Sequence, residues 1–128
     1  MSSIDYHKIS GIILDACIAV HKEMGPGLLE SVYEACLMHE LKSRGINVRN
    51  QVYLPLIYKG VELEKDFRID VLVEEEIVVE LKSVDIIHPV FEATLISYLK
   101  LSNKKLGFLV NFNVPLLKDG FKRYVNNF

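Results

Sequence analysis

Apolar residues recur at helical spacing at Ile9, Ile12, Ile13, Ala16 and Val20, which predicts an amphipathic helix from about Tyr6 to about Met24. Gly25-Pro26-Gly27 ends that run and turns the chain. A second helix follows with Leu29, Val32, Tyr33, Cys36 and Leu37 on one face, stopping near Arg44-Gly45. The period then shortens to two. Val48 to Tyr58 alternates, Lys59-Gly60 reads as a hairpin turn, and Val61 to Val73 returns. A third strand, Ile77 to Ser83, lies beyond a loop of Glu74, Glu75 and Glu76. Pro89 opens a third helix with Phe91, Leu95, Tyr98 and Leu99 inward. Leu106 to Phe112 is continuously apolar, as a buried strand is. Reaching it through a helix predicts a right-handed crossover to a parallel neighbour. The chain closes with a Lys118-Asp119-Gly120 turn and a last edge strand around Tyr124-Val125. The order α-α-β-β-β-α-β predicts an α/β sandwich around a mixed sheet.

Three charges interrupt the apolar pattern of the central strands: Asp70 in Arg68-Ile69-Asp70-Val71, and Glu80 and Lys82 in Val78-Val79-Glu80-Leu81-Lys82-Ser83. Charged side chains are almost never fully buried unless paired or bound to a metal. With the three glutamates as the loop, Val73 faces Ile77 and Asp70 faces Glu80, and Lys82 shares the face of Glu80. A two-residue loop would put the carboxylates on opposite faces. Like charges directly opposite each other repel. Two readings follow. The carboxylates are solvated edge residues that Lys82 neutralises, or a divalent cation sits between them, as Mg²⁺ does with one or two carboxylates and waters.

A length of 128 residues predicts one domain, spanning 1–128 and large enough for a real core. The formal net charge of -2 gives no support to strong non-specific nucleic-acid binding. Lys100, Lys104 and Lys105, and Lys118, Lys122 and Arg123, form two local basic clusters that read as solvated surface or as phosphate contacts. Cys17 and Cys36 fall at apolar helical positions without a CxxC or Cys/His pairing, so buried free thiols in a reducing compartment are expected. The first residues lack a signal-peptide pattern, and no apolar run approaches a membrane span. A cytoplasmic protein without membrane contact is expected.

The element order, with Asp70 and Glu80-Leu81-Lys82 on the second and third strands, resembles the PD-(D/E)XK phosphodiesterase superfamily, whose fold is the restriction-endonuclease-like three-layer sandwich. Gly25-Pro26-Gly27-Leu28-Leu29-Glu30-Ser31-Val32-Tyr33 is similar to the signature of the GxxExxY family, carried by Gly27, Glu30 and Tyr33. The stretch from Asn111 to Gly120 is also similar to that family. The resemblance implies Asp70 and Glu80 as ligands of Mg²⁺ or Mn²⁺, the Leu81 carbonyl as a further ligand, and Lys82 as the catalytic lysine. It makes Glu30 a third acidic ligand, although an acid just past a turn is also a helix-dipole partner or cap. Tyr33, one turn on, reads as core or as an auxiliary site residue.

One position departs from the pattern. Related nucleases carry a glutamine four residues before a tyrosine on the helix after the lysine strand; here Tyr98 is present, but Thr94 stands at the glutamine position. Threonine is shorter and cannot reproduce both amide hydrogen bonds. His88 reads as an auxiliary base or a solvated loop residue, and His21 as a partner of its own helix C-terminus. The expected function is a metal-dependent nuclease acting on nucleic acid, DNA before RNA, by metal-activated water attack. The alternative is a weak or inactive nuclease-fold module that binds nucleic acid or a protein partner. A homodimer would suit cleavage of both strands of a duplex.

Overall fold

A computed structural model describes residues 4–128. Helix α1 (Tyr6–Met24) starts at Asp5, whose carboxylate accepts the Lys8 N–H at 3.1 Å. Such a cap satisfies an N–H that the first turn leaves unpaired. Ile9, Ile13, Ala16, Cys17 and Val20 form its buried face. Helix α2 (Glu30–Ser43) buries Tyr33, Leu37, Met38 and Leu41. This is a rotation of the expected stripe: Leu29 is 73% exposed at the N-cap position, and Cys36 is only half-buried at the edge of the packed face. His21 lies in the last turn of α1, as expected, and its Nε2 also bonds the Val114 carbonyl at 2.8 Å, tying α1 to a distant loop.

Strands β1 (Val48–Tyr58), β2 (Val61–Val73), β3 (Ile77–Lys82), β4 (Leu106–Asn111) and β5 (Phe121–Val125) form one sheet in that order. The β3–β4 pair is parallel and the other pairs are antiparallel. Helix α3 (Pro89–Ser102) makes the crossover between β3 and β4, and a short 3₁₀ turn (Leu117–Gly120) precedes β5. One core lies between α1, α2 and one sheet face, and includes Val71, Val73, Val79 and Leu81. A smaller core lies under α3 and includes Ile69, Leu72, Val78, Leu95 and Leu99. The three-layer α/β sandwich and its element order are as the sequence predicts.

The loop Glu74-Glu75-Glu76 fixes the register. Each glutamate has a partner: Glu74 accepts the Asn47 N–H at 2.6 Å, Glu75 pairs with Arg49, and Glu76 accepts the Tyr6 hydroxyl at 2.8 Å. Val73 then lies opposite Ile77, as expected, and the ladder runs through Val71 opposite Val79. Beyond that pair β2 leaves β3 and continues with β1 alone, as a two-stranded ribbon ending at Lys59-Gly60.

The point of departure is Asp70. The β1–β2 pairing passes from Asn50–Val71 to Val52–Ile69, skipping Gln51 and Asp70, and Gln51 sits at φ 52°. Val71 packs with α1 and α2, whereas Ile69 packs with α3. In a flat strand residues two apart share a face. Here the packed face changes at the aspartate, whose side chain lines a cleft.

Candidate active site

Where β2 and β3 part, backbone N–H groups lose their ladder partners, and the two carboxylates replace them. The Leu81 N–H donates to Asp70 Oδ2 at 2.9 Å, and the Asp70 N–H reaches toward Glu80 Oε1 at 3.4 Å. Asp70 and Glu80 are therefore brought together across the strands, with one carboxyl group bonding toward the other residue's strand. Glu80 is 8% exposed, and it shares the class of buried polar residues with Asn111 alone among the described residues. Burial pushes the Glu80 carboxyl up to about 9; the adjacent Asp70 charge and a hydrogen bond shared with Asp70 add to the rise, while the Asp70 N–H and the Lys82 charge oppose it. Without a cation Glu80 thus keeps its proton, held first by burial and then by the neighbouring Asp70 charge.

Both carboxylates and Lys82 line one cleft of about 630 Å³. The Lys82 ammonium stands 4.3 Å from the centre of the Phe91 ring on α3. That cation–π contact directs a half-buried lysine along the cleft wall. Glu30 lines the same cleft and is exposed at the first turn of α2. Tyr98 lines it as well, its phenol held above the ordinary range by burial first, then by the Glu80 and Asp70 charges. Thr94 is there too, but its hydroxyl donates to the Val90 carbonyl one turn back at 2.8 Å. His88 is exposed at the N-cap of α3, stacked edge-on against Phe91 and outside the residues lining the cleft.

Tyr33 lies apart from the cleft. It is fully buried and stacked on Phe112 at 4.4 Å, its hydroxyl donating to the Gly25 carbonyl at 2.6 Å and accepting the Leu28 N–H at 3.1 Å. Ser83 adds a bond from its hydroxyl to the Leu28 carbonyl at 2.6 Å. The Gly-Pro-Gly turn is thereby tied both to α2 and to the exit of the lysine strand, and Glu30 begins where that turn ends. The spacing of Gly27, Glu30 and Tyr33 is the spacing of a turn, the acid it presents and the side chain that clamps it.

The Asn111 stretch has a similar structural logic. The Asn111 side chain accepts the Val84 N–H at 3.1 Å and the Asn113 N–H at 3.2 Å, and donates to the Val84 carbonyl at 2.9 Å. Asn113 donates to Asp85 at 2.9 Å. Together they fasten the chain just after Lys82 to the end of β4. Gly120 lies so close that a Cβ there would sit 2.1 Å from the Asn111 carbonyl oxygen. Only glycine fits that approach.

Sequence reasoning overlooked Tyr53, Asp66, Phe67, Arg68, Phe91, Val90 and Leu109 as cleft residues. A signal for three of them existed. Asp66 and Arg68 stand four and two residues before Asp70, and Tyr53 is the cross-strand partner of Arg68.

A profile described as the PD-(D/E)XK nuclease superfamily matches residues 7–124. The chain belongs to that superfamily. PD-(D/E)XK nucleases generally use divalent metals and act on nucleic acid. No curated protein matches the chain significantly. A solved structure described as "Crystal structure of SSO0001" is similar over 73% of this chain at 23% identity with a TM-score of 0.49, and this chain covers 47% of its length. The chain thus spans about half of that structure.

The donor set of this PD-(D/E)XK chain suits a hard cation. Two carboxylates converge, one of them buried and protonated in the cation's absence. Among the described residues no group of three His, Cys, Asp or Glu side chains is placed to hold an ion, so Glu30 does not close a three-acid cluster. A Mg²⁺-like ion accepts such a site because it keeps several waters and takes substrate phosphate oxygens as ligands. Among the described residues no helix is long and apolar enough to cross a membrane.

Proposed function

We propose that this chain is a Mg²⁺- or Mn²⁺-dependent phosphodiesterase of the GxxExxY type that hydrolyses nucleic acid, with DNA as the first substrate to try. The observation that carries the reading is the Asp70–Glu80 pair at the parting of β2 and β3, opening into the cleft that Lys82 also lines. Asp70, Glu80 and the Leu81 carbonyl are the groups that would hold the ion, and Glu30 lines the same cleft. When bound, the ion supplies charge neutralisation at the phosphate and acidifies a coordinated water. Lys82 holds a phosphate oxygen or the attacking water in place and stabilises negative charge as it develops. Tyr98, kept as a phenol, offers a hydrogen-bond donor. Thiols left free at Cys17 and Cys36 suit a reducing, cytoplasmic setting. A homodimer would present two such clefts, one to each strand of a duplex.

One observation favours a second reading, a module that binds nucleic acid with little turnover. Thr94 stands where a glutamine would reach substrate, and its hydroxyl is already engaged by its own helix. Incubation of labelled single- and double-stranded DNA with Mg²⁺ or Mn²⁺ separates the two readings. The nuclease predicts cleavage by the wild type, and its loss by at least about 10²-fold in Asp70→Asn and Lys82→Met proteins that still melt cooperatively. Binding without cleavage favours the second reading. Cleavage that survives in a clean Asp70→Asn preparation overturns the proposed site.

A further inference from the structure

We propose that the cleft receives an unpaired stretch of nucleic acid, held by stacking its bases on Tyr53, Phe67, Phe91 and Tyr98. The inference rests on the nucleic-acid reading above and narrows it to a strand state.

Aromatic residues make up 9% of the chain, so thirteen lining positions would carry about one; the cleft has four. They come from two walls, Tyr53 and Phe67 from the β1–β2 ribbon and Phe91 and Tyr98 from α3. Packing accounts for part of this, since Phe67 and Tyr98 meet edge to face at 6.0 Å. It does not account for the exposure. Tyr53 is 63% exposed, and the other three are half-buried, whereas Tyr33, Phe108 and Phe112 fill the core elsewhere. Aromatic surface is left facing the cleft.

The charges point the same way. Lining cations number two, Arg68 and Lys82, against the four acids Glu30, Asp66, Asp70 and Glu80. One divalent ion on Asp70 and Glu80 offsets that pair and leaves the balance near zero. A binder that relies on phosphates gathers many lysines and arginines, because each neutralised phosphate releases counterions. This cleft has too few, so an uncharged attraction has to supply the affinity. Stacking on aromatic rings is such an attraction and tolerates any sequence. It needs free base faces, which a duplex keeps stacked on one another and a single strand exposes.

Fluorescence anisotropy with Ca²⁺ present tests this, with three probes at fixed salt: labelled oligothymidylate, an abasic strand of the same length, and a blunt duplex. Oligothymidylate is expected to bind at least about tenfold tighter than either other probe. Its salt dependence should correspond to about two phosphate contacts. Tyr53→Ala, on the exposed ribbon, should weaken oligothymidylate binding about fivefold or more and leave abasic binding unchanged, with an unaltered melting temperature. Tyr53→Phe, which keeps the ring, serves as a second variant and should bind oligothymidylate as the wild type does. Equal binding of the oligothymidylate and abasic strands, or a preference for the duplex, overturns the stacking proposal and leaves the nuclease reading standing. Absence of binding to every probe overturns both.

Discussion

Burial and a neighbouring aspartate keep a proton on Glu80 up to about pH 9, against an ordinary value of 4.5, and this has a consequence for stability. Below pH 4.5 the group is protonated in both folded and unfolded chains, and its contribution is fully present. Between 4.5 and about 9 the unfolded chain has released a proton that the folded chain keeps. Stability therefore falls as pH rises through that window, by up to about 1.4 kcal/mol per pH unit. Glu80→Gln keeps the shape and removes the titration. In urea unfolding without divalent ions, the variant should gain on the wild type steadily from pH 5 to pH 8, by on the order of 3 kcal/mol in total. Parallel pH profiles for the two proteins would contradict the assignment. Asp70 and Glu80 were recognisable in sequence because charge inside an apolar strand is rare, and counting across the three-glutamate loop set them opposite each other. The orientation of Thr94 was not recognisable, because a helix hydroxyl can turn to solvent or to its own backbone with equal spacing.

At the level of elements, the motif around the Gly-Pro-Gly turn is best understood as a clamp. Tyr33 holds the turn from the core side and Ser83 from the strand side, and Glu30 emerges between them. Tyr33→Phe keeps the stack on Phe112 but leaves the Leu28 N–H and the Gly25 carbonyl without that hydroxyl. The expected cost is about 1–2 kcal/mol, read as a melting temperature lower by roughly 4–8 °C. An unchanged melting temperature would show that the turn is held by its backbone alone. Strong periodicity made the helices and the long hairpin legible, α1 through its isoleucines and β1–β2 through alternation around Lys59-Gly60. The face of α2 was less so: Leu29 extended the apolar stripe in sequence but lies before the first turn, where it points away from the packed side. The break in pairing at Gln51 and Asp70 left no trace in the pattern, because neither residue is a glycine and the alternation on either side looks continuous. Asn111 carried a family resemblance, but its use as a fastener for the strand exit depends on Val84 and Asn113, brought to it by the fold.

For the molecule as a whole, the architecture puts its chemistry where three layers meet. The α1–α2 layer supplies Glu30, the sheet supplies Asp70, Glu80 and Lys82, and the α3 layer supplies Phe91 and Tyr98. The ribbon of β1 and β2 forms the remaining wall. A nearly neutral chain with an acidic cleft is poorly built to attract nucleic acid by charge alone, and a divalent ion changes that balance at the point where phosphate would bind. Ion binding should also discharge the proton held by Glu80. Calorimetric titration of Mn²⁺ into the wild type and into Asp70→Asn, at pH 7 in two buffers of different ionisation enthalpy, shows whether the carboxylate pair holds an ion. Saturable binding to the wild type with release of close to one proton per ion is expected, and no comparable binding to the variant. Equal binding by both proteins, or none by the wild type, would contradict a metal-dependent site at Asp70 and Glu80.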